Sequence, residues 1–170
     1  MESGHMELFL VQHADSKPEE EDPARSLTEA GAEAARRMAE WAAQVGVRIA
    51  RIRHSGKTRA AQTASILGER LAPKAGVQAM PGLNPLDDPA PLAAELRSQE
   101  EPLMLVGHLP FLSRLAGWLL ANDPERQVVR FENAGIVCLR RTEGEWFLSW
   151  VMLPRLLDIA PIDLDGSSAT

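Results

Sequence analysis

Two histidines, His13 and His108, each follow a short continuous apolar run, Leu8-Phe9-Leu10-Val11-Gln12-His13 and Leu103-Met104-Leu105-Val106-Gly107-His108. A neutral imidazole is a competent nucleophile toward phosphorus, and a second one can hydrogen-bond the transferring oxygens. Between them lies His54-Ser55-Gly56-Lys57-Thr58-Arg59-Ala60-Ala61-Gln62-Thr63. Arg59 in this segment brings a guanidinium fork that matches phosphate oxygens. Two imidazoles and a guanidinium form a set suited to binding and moving a phosphoryl group.

That chemistry needs elements that bring the three segments together. Apolar runs without alternation are the pattern of strands buried on both faces, as in a parallel sheet. The carboxyl ends of such strands open onto one crevice, where ligands bind. The segment from His54 falls at a strand end and a helix start, where free N–H groups and the helix dipole favour an anion.

The elements expected around them are as follows. A polar loop covers about Asp15 to Ser26, with the charge run Glu19-Glu20-Glu21-Asp22 reading as solvated. Thr28 caps an alanine-rich helix ending near Gly46. A second, edge-like strand covers Val47 to Ile52, and a helix runs from about Lys57 to Leu71. Residues 81–89 form a loop, a short helix runs near Pro91 to Ser98, and another runs from Pro110 to about Ala121. Strands over Gly135–Arg140 and Trp146–Met152 flank the turn Thr142-Glu143-Gly144-Glu145. This order predicts an α/β protein, a three-layer α/β/α sandwich on a mixed, mostly parallel sheet. Trp41, Trp118, Trp146 and Trp150 read as core residues.

The chain has 170 residues, 45% hydrophobic and 25% charged, which suits one compact domain, placed at residues 6–157. Residues 1–5 read as an extension or tag ahead of Met6, and 158–170 as a flexible tail. A net charge of -6 argues against a nucleic-acid partner held by general electrostatics. No run is long enough to cross a membrane, and a lone Cys138 suits a reducing cytoplasm.

Two rival chemistries fail on spacing. A phosphate-binding P-loop needs a glycine five residues before Gly56-Lys57-Thr58, where Arg51 stands. The histidines never take the close helical spacing of a zinc enzyme, so neither metal nor cofactor is expected.

The residues resemble the histidine phosphatase superfamily, whose fold is phosphoglycerate mutase-like. Val11-Gln12-His13-Ala14-Asp15 is similar to its Arg-His-Gly signature, Ser55 through Thr63 to its second arginine block, and Gly107-His108-Leu109-Pro110 to its second-histidine block. The short chain, Arg25-Ser26-Leu27-Thr28 and Trp150-Val151-Met152-Leu153-Pro154 point to the small bacterial SixA-type phosphohistidine phosphatases. The resemblance implies that His13 attacks phosphorus and that water then releases phosphate. Arg59 and Arg25 would hold the phosphoryl oxygens beside His108, with Gln12 and Ser55 as further substrate contacts. It also implies a partner, a phosphohistidine-carrying phosphotransfer domain of a signalling relay.

Gln12 replaces the signature arginine, and Ala14 its glycine. Glutamine still donates hydrogen bonds but carries no charge, a loss of roughly 1.5–3 kcal/mol for a charge-assisted contact. Lys57 and Lys17 are the nearby cations that could replace it, although Lys57 and Asp87 by themselves read as surface residues. Two alternatives therefore stand beside the phosphohistidine phosphatase. One is a weakened or inactive phosphate- or phosphoprotein-binding module. The other is a small-molecule phosphomonoesterase, which needs a carboxylic acid such as Asp87 or Asp88 at the leaving group.

Overall fold

The computed structural model describes residues 5–158. The proposed extension and tail therefore lie outside the described residues, except for His5 and Asp158. Six strands form one sheet: β1 (Met6–Gln12), β2 (Arg51–His54), β3 (Val77–Ala79), β4 (Leu103–Gly107), β5 (Ile136–Thr142) and β6 (Glu145–Met152). The helices are α1 (Glu29–Gln44), α2 (Thr58–Leu71), α3 (Ala90–Leu96) and α4 (Phe111–Ala121), followed by a 3-10 turn over Pro154–Asp158. Strand order is β3-β2-β4-β1-β5-β6, parallel from β3 to β1 and antiparallel through β5 and β6. This is the mixed α/β sandwich that the pattern predicted.

Side chains alternate across β1 and β4, so each strand feeds two cores. Leu8, Leu10, Leu103 and Leu105 pack with α3 and α4 through Leu92, Leu96, Phe111 and Leu115. Phe9, Val11, Met104 and Val106 pack with α1 and α2 through Met38, Ala42, Ala64 and Leu67. The stretches Leu8 to Val11 and Leu103 to Val106 are wholly apolar for this reason.

From β1 the chain travels through α1 toward β2, and from β4 through α4 toward β5. The two connections leave adjacent strands in opposite directions and open a crevice at their carboxyl ends. His13 and His108 stand there.

Three expectations need correction. β2 runs over Arg51–His54 rather than Val47 to Ile52 and is an inner strand, paired with both β3 and β4, where Arg53 is accommodated by an ion pair with Glu95 at 2.8 Å. The edge on that side of the sheet is β3, whose three residues are too few to show a period. The four tryptophans are half-buried, because they flank the cores instead of filling them. Trp41 and Trp150 meet edge to face at 5.4 Å and wall a surface cavity of about 360 Å³ with Phe9 and Val47. That cavity includes Glu7, near the opposite end of β1 from the histidines.

Candidate active site

Strand parity decides which side chains meet. Phe9, Val11 and His13 continue one face of β1, and Met104, Val106 and His108 the same face of β4. The His13 N–H extends the ladder by donating to the Gly107 carbonyl at 3.0 Å. The two imidazole centroids stand 5.1 Å apart, tilted by 52°.

His13 has its tautomer fixed. Its Nδ1 lies 2.7 Å from the Ala14 carbonyl, which can only accept, so Nδ1 carries the proton and Nε2 keeps its lone pair. Nε2 accepts from the Arg59 Nε–H at 3.3 Å. Burial, chiefly, with help from Arg59 and Arg25, lowers the His13 pKa and keeps the ring neutral. Burial also dominates at His108, which Arg59 and His13 push further, down to about 3. His108 is 1% exposed. Its Nε2 sits 2.6 Å from Ser55 Oγ, while its Nδ1 is buried without a partner.

Arg59 enters from the first turn of α2, which begins at Thr58, a short loop after β2 ends at His54. Arg25 enters from the loop between β1 and α1. Its Nε–H donates to the Lys17 carbonyl, and its Nη2 lies 3.4 Å from Ser16 Oγ. Arg25 sits at φ 51°, the left-handed region that costs a non-glycine residue energy. The loop holds it there: the Asp22 carboxylate accepts from the Ala24 and Ser26 N–H groups, and Asp22 O accepts from Arg25 N–H. The segment is thus more ordered than its solvated charge run suggested, although Glu19, Glu20 and Glu21 are exposed.

Gln12 is the site residue that parity sends elsewhere. It lies on the face opposite Val11 and His13, paired with Gly107. Its side chain lines a cleft with Leu109, Phe131, Asn133 and Arg155, and its Oε1 is buried without a partner.

Two supporting residues are assigned no role by the sequence, although Thr63 closes the second arginine block. Thr63, fully buried, accepts the Ala14 N–H at 3.0 Å and donates to the Arg59 carbonyl at 2.8 Å. As a polar residue within the buried stripe Ala60, Ala64, Leu67 of α2, it also stands out by burial pattern. Asn133 donates from Nδ2 to the His13 carbonyl at 2.8 Å. It arrives from the loop before β5, 120 positions away.

The acids of the 81–89 loop are engaged locally. Asp87 accepts the Asn84 N–H, and Asp88 accepts the Ala90 N–H. Among the described residues, no group of three His, Cys, Asp or Glu side chains is placed to hold a metal ion.

Two arginines, two neutral imidazoles and a helix start at one end of the sheet form a set that a phosphoryl group could engage. Residues 8–87 match the model of the histidine phosphatase superfamily, branch 1. The Escherichia coli phosphohistidine phosphatase SixA is 28% identical over 162 residues, covering 91% of this chain and 98% of that protein. The chain thus carries a histidine phosphatase superfamily match over residues 8–87 and is similar to SixA along nearly its whole length. The solved structure of the protein histidine phosphatase SixA complexed with tungstate superposes with a TM-score of 0.80 at 27% identity, covering 90% of this chain and all of that one (100%). A mycobacterial glucosyl-3-phosphoglycerate phosphatase shares the fold, with a TM-score of 0.67 at 20% identity over 85% of this chain and 97% of its own. The chain is accordingly a phosphatase of the histidine-phosphatase type.

Proposed function

We propose that the domain spanning residues 6–157 removes phosphate from phosphohistidine in a phosphotransfer domain of a signalling relay, through a phospho-His13 intermediate. The observation that carries this reading is the 2.7 Å bond from His13 Nδ1 to Ala14 O, which commits Nε2 to the crevice. Nε2 attacks phosphorus while Arg59 moves from the lone pair onto the phosphoryl oxygens, joined by Arg25. The substrate ring, protonated from solvent on its other nitrogen, leaves as neutral imidazole as its P–N bond breaks. Water then attacks phosphorus, the P–Nε2 bond breaks, and its electron pair returns to His13. The net reaction delivers hydroxyl to phosphorus and a proton to the departing imidazole.

His108 is neutral in the free enzyme. An arriving dianion raises its pKa, and the ring then donates to the oxygens as charge develops on them. Ser55 holds that ring in place.

The substrate class rests on leaving-group chemistry and on the SixA relatives. An alkyl phosphate expels an alkoxide that must be protonated by an acid. Asp87 and Asp88 are instead tied to backbone N–H groups of their own loop. A phosphohistidine ring can take a solvent proton on its other nitrogen, an imidazole titrating at about 6.5, and so leaves as neutral imidazole without an acid from the protein. Phosphate is the second product, and a cytoplasmic setting suits the single buried thiol of Cys138.

The test is phosphate release from a phosphohistidine-carrying phosphotransfer domain, beside an aryl phosphate and a His13→Ala control. The expected result is release that needs His13 and favours the phosphoprotein. Full turnover by His13→Ala would falsify the mechanism. The uncharged Gln12, turned to the other face, favours a second reading, a phosphoprotein-binding module without turnover. Phosphate binding with no release from either substrate would establish it.

A further inference from the structure

Lys57 stands at the N-cap of α2, where physics argues against a lysine. The positive end of the helix dipole favours acids in this position, and Ser, Thr, Asp or Asn side chains cap the free N–H groups. Here no side chain caps the helix and no acid occupies its first turn. Arg59, two positions on, adds a second cation to the same turn. The other long helix on this face follows the rule, with Thr28 capping Gly31 N–H and Glu29 in the first turn. The reversal at α2 therefore opposes folding unless an anion comes to that end.

The surroundings say which anion. The Lys57 N–H donates to Ser55 Oγ at 3.3 Å, and the same oxygen lies 2.6 Å from His108 Nε2. Lys57 is exposed and forms no ion pair among the described residues, so its ammonium is free to swing. It is near enough to be one of the charges that keep His108 neutral. Gln12, meanwhile, brings no charge and faces the opposite side of the sheet.

We propose that Lys57 is a phosphoryl-binding residue of this site, its ammonium closing on the oxygens that Arg59 and Arg25 also hold and supplying the charge absent at Gln12. The proposal rests on the reading of the histidine crevice as a phosphoryl site. A flexible lysine delivers a point charge rather than a fork, so it contributes attraction without fixing an angle.

Inorganic phosphate titrated into the intact protein and followed by NMR tests this without requiring turnover. Lys57→Met should weaken phosphate binding about tenfold, as expected for one charge-assisted contact. Lys57→Arg should stay within about threefold of wild type, and Lys74→Met, the same charge loss beyond the other end of α2, should change nothing. Lys57→Asp supplies a good N-cap, so it should raise the melting temperature while abolishing phosphate binding. This opposition between stability and binding is what a merely structural lysine would not produce. Equal affinities for Lys57→Met and Lys74→Met would overturn the proposal. So would a lowered melting temperature in Lys57→Asp. If His13→Ala turned over normally the phosphatase mechanism would fall, and the phosphate titration would still report on Lys57.

Discussion

Replacing Thr63 by valine changes almost no volume and removes one hydroxyl, so its consequences can be worked out in advance. Thr63 is fully buried and bonds on both sides, to Ala14 N–H and to the Arg59 carbonyl. Losing the hydroxyl bond to Arg59 O costs about 1 kcal/mol, since that carbonyl keeps its helical partner. Orphaning the buried Ala14 N–H costs about 2 kcal/mol more. The new methyl returns roughly 0.8 kcal/mol, leaving a net loss of about 2 kcal/mol. For a chain of this size that is a fall of about 4–8 °C in melting temperature. Activity should suffer beyond stability, because Ala14 also provides the carbonyl that sets the His13 tautomer. A displacement of reacting atoms well under 1 Å is enough for about a tenfold loss in kcat/KM. Thr63→Ser, which keeps the hydroxyl, should retain most of the rate. Calorimetry and steady-state phosphate release at a temperature where all variants are folded would check both halves. If Thr63→Val melted with wild type, or if valine and serine were equally active, the account of Ala14 as a pinned residue would be refuted.

Further outcomes follow from the same geometry. Gly31→Ala should destabilise by about 1–3 kcal/mol, because a Cβ there runs into the Asp15 backbone, which outweighs the up to about 1 kcal/mol that alanine gains in a helix. Thermal melting should show the loss, and a stabilised variant would mean that the Asp15 loop can move away. His13 and His108 have folded pKa values below the unfolded value of about 6.5. The unfolded chain thus takes up protons first, and stability falls as pH drops from about 6.5 toward about 3. Urea titrations should show a shallower fall in His108→Gln, and an unchanged slope would contradict a neutral His108. In the free enzyme, the acid limb of kcat/KM should lie below pH 6.5, since His13 stays neutral there. Asp87→Asn should leave turnover on a phosphohistidine protein within about twofold, whereas a large loss would restore it as a leaving-group acid.

The meeting of the candidate site residues was legible in the sequence because they sit on main-chain regularities. Two doubly buried strands read as such from their apolar runs, and their histidines inherit a common face. Arg59 was legible because a strand end meets a helix start within a few residues. The hairpin over Thr142–Glu145 and the Thr28 cap were likewise local, and appear where expected. What escaped depends on contacts between distant segments. Asn133 reaches His13 from a loop with no periodic signal, and Thr63 matters only because Ala14 lies above it. Arg25 adopts a costly backbone angle because Asp22 folds back on it, a turn hidden inside a charge run. The orientation of Gln12 follows from parity, yet a motif read as a block places it beside His13.

The spacing of the two imidazoles is a property of backbone pairing. Leu8 to Gln12 face Leu103 to Gly107 rung by rung, and the His13 N–H adds one rung more. Such a distance can change only in steps: a slip of one residue turns a histidine to the far side of the sheet. Gradual repacking of helices and loops thus leaves the histidine pair untouched. The surrounding surfaces can vary continuously while the pair remains either whole or lost.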